Sequence, residues 1–165
     1  MIKLIDDSNH YYDVALKTAD DCVYHLNYPF NKDLLLKEYE DVEMTTFSSF
    51  NPNWNRSFDI GTHGNFLKQQ FQKLVKGKVA AGYYCQKAGD DVKEHKDTGC
   101  KCRINVLLSD NDSTLYIANH EIKYQSALIN VNEHSHYVDI AKKDRLIFSI
   151  IFLEDDYYTV KTIYK

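Results

Sequence analysis

The chain is expected to be mainly β with flanking α-helices, its strands forming two packed antiparallel sheets in jelly-roll order. Three observations predict this. From Val79 onward, short apolar or alternating runs follow one another with polar turns between them. Ahead of them lie two stretches whose apolar residues recur at helical spacing. Near the end, Leu146 to Leu153 is apolar on both strand parities apart from Ser149, as a strand packed on two faces requires. A chain of 165 residues can bury a core without staples, and no linker or repeat divides it. A single domain is therefore expected over 1–165, with 1–77 a helical and loop supporting region and 78–165 the β core.

Taken in order, Asn31 can cap a helix running to about Asp41, with Leu34, Leu35 and Tyr39 available to pack inward. A second helix is expected from about Asn65, carrying Phe66, Leu67, Phe71, Leu74 and Val75 on one stripe and stopped by Gly77. Between them, Phe47 to Arg56 is rich in aromatic, amide and turn residues and reads as a loop. Loops on a rigid scaffold concentrate binding residues, so Trp54 and Arg56 are the candidates there for a substrate rim. The strands expected next are Val79 to Gln86, Cys102 to Leu108, Thr114 to Ala118, Ala127 to Val131 and Arg145 to Leu153. Asp155-Asp156-Tyr157 reads as a hairpin turn into a last strand, Tyr157 to Ile163.

Composition excludes more than it selects. No basic segment followed by an apolar run opens the chain, and no stretch is long enough to span a membrane, so a soluble cytoplasmic protein without membrane contact is expected. The sequons at Asn55-Arg-Ser57 and Asn111-Asp-Ser113 are then expected to be idle. A net charge of -4 gives no general pull toward nucleic acid. Cys100-Lys-Cys102 lacks the spacing of a zinc knuckle, and with Cys22 and Cys85 it forms no disulfide framework, so reduced thiols are expected.

The chemistry is concentrated in His95-Lys96-Asp97, followed by His136 and Arg145. In seven histidines and 24 acidic residues among 165 positions, a His-x-acid match is expected about once by chance, so the tripeptide needs its surroundings. On an extended chain His95 and Asp97 share a face and can reach one metal. Two imidazoles and one carboxylate suit one face of an octahedral iron and leave the opposite face for substrate and dioxygen. His134 and His136 share strand parity, so either can complete the triad. A buried arginine at position 145 needs an anion, and a dicarboxylic acid supplies one through a two-bond fork. His10, His25, His63 and His120 lack a second ligand at a useful spacing.

The order Gly89, His95-x-Asp97, Arg103-x-Asn105-x-Leu107, Asn130, His136-x-Val138 and Arg145 before an apolar strand resembles the iron(II)/2-oxoglutarate oxygenases. It looks closest to their aspartyl/asparaginyl β-hydroxylase-like branch, over roughly Val79 to Phe152. The resemblance implies a double-stranded β-helix of cupin type. It also implies His95 and His136 as metal ligands, the latter chosen over His134 because His-Tyr-Val matches the family's His-x-Val. Arg145 falls on the contact to the C5 carboxylate of 2-oxoglutarate and Arg103 on the C1 side, with Tyr84 and Asn105 beside them. Two departures stand out. The animal β-hydroxylases have glycine where this chain has Asp97, so the full triad resembles the wider superfamily, and they have histidine where it has Asn105.

The reading is an iron(II)- and 2-oxoglutarate-dependent dioxygenase that uses O2 to hydroxylate an unactivated C–H bond. The leading substrate class is a peptidyl or free amino-acid side chain, with His95, Asp97 and His136 as catalytic metal ligands. Its rivals are a non-catalytic jelly-roll binding module and a cupin-type metalloenzyme that uses no oxo acid.

Overall fold

Two faces of one strand organise the molecule, a computed structural model that describes residues 19–48, 51–110 and 113–164, without the side chains of 47, 48 and 51–53. The strand is β11 (Arg145–Phe152), paired along its whole length with β4 (Val79–Gln86) on one side and, from Ile147 to Phe152, with β6 (Cys102–Leu107) on the other. Leu146, Phe148, Ile150 and Phe152 point to one face, where they join a core built with the helices. Arg145, Ile147, Ser149 and Ile151 point to the other, toward the second sheet. Both faces are covered, so both parities are apolar except where the site needs polar groups.

The larger sheet has seven strands, in the order β1 (Val23–His25), β9 (Ser126–Ile129), β6, β11, β4, β3 (Asn51–Ser57) and β2 (Thr45–Ser48). The smaller has four, in the order β5 (Val92–His95), β10 (His136–Val138), β7 (Leu115–Ile117) and β8 (His120–Ile122). Every ladder is antiparallel. Mainly β, with helices on one side and two facing sheets, this is the expected double-stranded β-helix. The second core, including Val23, Tyr84, Ile117, Ile129, Val138 and Ile147, fills the space between the sheets.

Helix α1 (Lys32–Glu40) starts where expected: the Asn31 side chain accepts a hydrogen bond from Leu34 N at 3.1 Å. Leu35 is fully buried and Tyr39 packs on the core, whereas Leu34 is exposed. Helix α2 (Gly61–Gln72) begins four residues before the expected Asn65. Its first turn has no local side-chain cap. Glu38 of α1 supplies one instead, accepting from His63 N and, at 2.9 Å, from Gly64 N. Such a cap comes from another helix and leaves no mark near Asn65. Leu67 and Phe71 are buried and Val75 packs on them, while Phe66 and Leu74 face solvent. A side chain at Gly64 would meet Ile60 at 3.0 Å and Phe148 at 3.2 Å, which is how α2 lies so close to β11.

Two expectations are corrected. Phe47 to Arg56 is not a loop: β2 and β3 form a hairpin, and β3 pairs with β4 from Trp54↔Gln86 to Ser57↔Tyr83. Turn-forming Asn and Pro hid a strand, β3, whose pairing with β4 and β2, not its composition, sets its conformation. The segment Tyr157–Ile163 is not a strand but helix α3. Asp156 is extended and its Oδ1 accepts from Thr159 N at 2.8 Å, an N-cap rather than a hairpin turn. Tyr157, Val160 and Lys161 are the residues buried, which is helical spacing. His10, Phe50 and the sequon at Asn111 fall outside the described residues. No helix among the described residues is long and apolar enough to cross a membrane.

Asp156→Ala is expected to destabilise the chain by about 0.5–2 kcal/mol in urea unfolding through loss of the α3 cap. A turn residue leading into a strand would leave the midpoint essentially unchanged.

Candidate metal centre

The register of the smaller sheet brings the first two ligands together. His136 of β10 lies directly opposite His95 of β5, and their rings stand 4.4 Å apart between centroids. Just past the end of β5, Asp97 is fixed by its backbone: its N–H donates to Val131 O at 2.9 Å, and Asn132 Nδ2 donates to its carbonyl at 2.8 Å. The carboxylate then turns Oδ1 toward both imidazoles, 3.2 Å from His95 Nε2 and 3.7 Å from His136 Nε2. The three ligand atoms lie within 4.8 Å of one another. Donors held about 2.1 Å from a metal at right angles stand roughly 3 Å apart, so this spacing fits one divalent ion. His134, the alternative by parity, lines a groove with Glu94, Lys96 and Tyr116 instead.

Backbone carbonyls orient both rings. His95 Nδ1 lies 2.6 Å from Lys93 O and His136 Nδ1 lies 3.2 Å from His134 O, so Nδ1 carries the proton and Nε2 faces the cluster. Burial pushes His136 down to about 4, which leaves its Nε2 lone pair available at neutral pH. The hydrogen bond to Asp97 raises His95, so a metal binding there displaces a proton. Burial pushes the Asp97 carboxyl up, but the His95 hydrogen bond and the charges of Arg103 and His136 outweigh it and hold it well below the usual carboxylate range.

Arg103 lies in the same cavity but is already engaged. Its Nη2 donates to Asp97 Oδ2 at 2.5 Å and its guanidinium sits 5.3 Å from the Tyr84 ring centre. Cys100 Sγ lies 3.6 Å from the same carboxylate oxygen. With Oδ2 committed, Asp97 has Oδ1 left for a metal. Arg103 thus braces a ligand from behind. Burial raises the Tyr84 phenol and keeps it neutral, despite the opposing charges of Arg103 and Arg56.

A cavity of about 180 Å³ runs from the cluster to Arg145 and is walled by apolar residues of both sheets, Val92, Leu115, Val138 and Ile147 among them. Arg145 is 4% exposed and its Nη2 donates to Tyr124 Oη at 2.6 Å. Tyr124 Oη also accepts from Asn105 Nδ2 at 3.3 Å, and Asn105 Oδ1 accepts from Ser149 at 2.5 Å. Among the described residues no carboxylate lies within ion-pair distance of Arg145. Tyr124 was missed by the sequence reading. One of 13 tyrosines between Lys123 and Gln125, it carries no motif, and only the fold brings it to Arg145.

Trp54 lines the cavity, its ring 5.9 Å from that of Tyr84. Arg56, two residues along β3 on the same face, has its guanidinium 5.2 Å from the Phe58 ring centre and lies outside the cavity lining.

No protein-family model matches the chain, and no characterised protein matches it in sequence. Solved structures do. A Trichoplax adhaerens prolyl hydroxylase bound to a peptide fragment of the hypoxia-inducible factor oxygen degradation domain superposes with a TM-score of 0.62 at 12% identity, covering 97% of this chain and 98% of that one. The chain shares its fold with that hydroxylase. A Pseudomonas putida prolyl-4-hydroxylase gives 0.61 at 10% identity over 87% of this chain and 96% of its own. A Burkholderia pseudomallei oxidoreductase of the 2OG-Fe(II) oxygenase family gives 0.59 at 8% over 85% and 88%.

Alanine at His95, Asp97 or His136 is expected to weaken binding of a divalent metal such as Co(II) beyond the roughly 10–100-fold cost of losing an outer partner. His134→Ala is expected to leave the affinity within about a factor of ten, the lower end of that range. A titration in which His134→Ala abolishes binding and His136→Ala does not would reverse the assignment of the distal ligand.

Proposed function

We propose that the protein is an iron(II)- and 2-oxoglutarate-dependent dioxygenase that hydroxylates an unactivated C–H bond. The observation that carries this is the pairing of two features in one largely apolar cavity: a His-Asp-His cluster at one end and, at the other, a buried arginine with no carboxylate partner among the described residues. A 2-oxo dicarboxylic acid bridges such a cavity, with its keto acid end toward the metal and its distal carboxylate on the guanidinium. The fold shared with 2OG-Fe(II) oxygenases supports the same reading.

Each residue then has a task. His95, His136 and Asp97 Oδ1 would hold iron(II), whose chemistry is activation of dioxygen coupled to decarboxylation of the oxo acid. Arg145 binds the distal carboxylate, and Tyr124 Oη, fixed by Asn105, steadies the guanidinium while keeping a hydroxyl for the same carboxylate. Arg103 keeps Asp97 ionised and its Oδ2 engaged; its part on the C1 side of the cosubstrate would be played from that position. Tyr84 and the aliphatic walls exclude water, which strengthens charge-assisted hydrogen bonds inside. Trp54 stands over Tyr84 at the open side, and with Arg56 it would form the rim that meets substrate.

The substrate class is a peptidyl or free amino-acid side chain. In support, the two hydroxylases of similar fold act on prolyl groups by name, one with a peptide bound. The motif order still resembles the aspartyl/asparaginyl branch, but the presence of Asp97 sets this chain with the full-triad members of the superfamily.

Arg145→Lys keeps the charge and loses the planar fork. A charge-assisted hydrogen bond is worth about 1.5–3 kcal/mol and about 1.4 kcal/mol is tenfold in affinity, so the 2-oxoglutarate requirement for succinate formation should rise roughly tenfold or more. Metal affinity should stay as in the wild type. Unchanged cosubstrate dependence in Arg145→Lys and Arg145→Ala alike would contradict the proposal.

A further inference from the structure

A second cavity, of about 430 Å³, adjoins the metal cavity and shares Tyr124 and Arg145 with it. Its other polar lining comes from His25, Lys123, Gln125, Ser126 and Ser113. Although the chain carries 24 acidic residues and a net charge of -4, no aspartate or glutamate is among the described residues that line this space. Its basic side chains are placed at two depths. Arg145 is buried at the inner end, while Lys123 and His25 are exposed at the rim. The Lys32 ammonium also comes to the rim, donating to Gln125 Oε1 at 2.8 Å, which leaves the N–H₂ end of that amide as a donor. Arg145 offers five N–H groups, and its hydrogen-bond partner among the described residues is the Tyr124 hydroxyl, not a carboxylate. A guanidinium this buried is stabilised by an anion.

We propose that this second cavity is a binding site for a small anion of carboxylate or phosphate chemistry, held between Arg145 inside and Lys123 and His25 at the rim. Donors predominate: a guanidinium, an ammonium, an imidazole and an amide N–H₂ line one space with no carboxylate among the described residues to repel the ligand. The site lies apart from the metal cluster and needs no iron, but it shares Arg145 with the proposed cosubstrate site, so an anion here and the distal carboxylate of 2-oxoglutarate would compete for one guanidinium. Since Arg145 faces both cavities, the decisive residue is Lys123, which lines this one alone.

The test is calorimetric titration of the full-length, metal-free protein with inorganic phosphate and, separately, with succinate at low ionic strength. One saturable site for at least one of them is expected, and the tighter of the two identifies the chemistry. Lys123→Glu reverses an exposed rim charge and is expected to weaken that binding roughly tenfold or more, with Co(II) affinity at the His95 cluster unchanged. Gln125→Glu, also at an exposed position, is expected to act in the same direction. Absence of saturable binding by either anion would overturn the proposal. So would wild-type affinity in both rim variants, which would put the anion in the metal cavity.

Discussion

The pairing of His95 with His136 across the β5–β10 ladder is the constraint on which the rest of the site depends. Neither residue is near the other in sequence, and each gains its neighbour from register alone. A slip of one residue would turn His136 to the outer face and bring His134 no closer, because side chains alternate. Asp97 is not on the ladder and needs its own anchors. The Val131 carbonyl and the Asn132 amide grip its backbone, and Arg103 grips its outer oxygen. The candidate metal cluster is thus assembled from one strand pair, one loop and one cation on the opposite sheet.

That opposite sheet accepts polar groups in an otherwise apolar interior. Arg103, Asn105, Ser149 and Arg145 all sit on the inter-sheet faces of β6 and β11, among Ile129, Ile147 and Ile151. Burying such groups is unfavourable unless they are hydrogen-bonded. Here they are linked in two sets: Arg103 with Asp97, and Ser149, Asn105, Tyr124 and Arg145 in sequence. The first set ends on a carboxylate and is electrically closed. Among the described residues the second ends on a guanidinium with no carboxylate partner, and this difference is why Arg145 rather than Arg103 is the group proposed to take a ligand from outside.

Periodicity made the central strands legible. β4 and β11 run where alternation and double-sided apolarity put them, and the Asn31 cap fixed the start of α1. The cluster residues were legible through the spacing of His95, Asp97 and His136, but the choice between His134 and His136 was not open to parity, which treats them alike. Three features were hidden for physical reasons. The β2–β3 hairpin is stabilised by the edge of β4, so its Asn- and Pro-rich composition reads as a loop. The start of α2 is capped by Glu38 from another helix. In α3, the sequence Tyr-Tyr-Thr-Val-Lys-Thr-Ile fits a strand as well as a helix, and the cap at Asp156 together with burial of Tyr157 and Val160 decides between them. Arg103 was legible through the resemblance as a contact on the C1 side of the cosubstrate but not as the partner of Asp97, because that contact runs from β6 to the segment after β5 on the facing sheet.

The account's central claim is that one cavity holds iron(II) and 2-oxoglutarate together, chelated at the His95–Asp97–His136 cluster. Anaerobic addition of 2-oxoglutarate to the iron(II)-loaded protein tests it most directly, by the visible metal-to-ligand charge-transfer band that arises only when the keto acid binds the metal. The account predicts a saturable band that is lost in His136→Ala and shifted to higher 2-oxoglutarate concentration in Arg145→Lys. Iron binding at the cluster with no band at any 2-oxoglutarate concentration would contradict it.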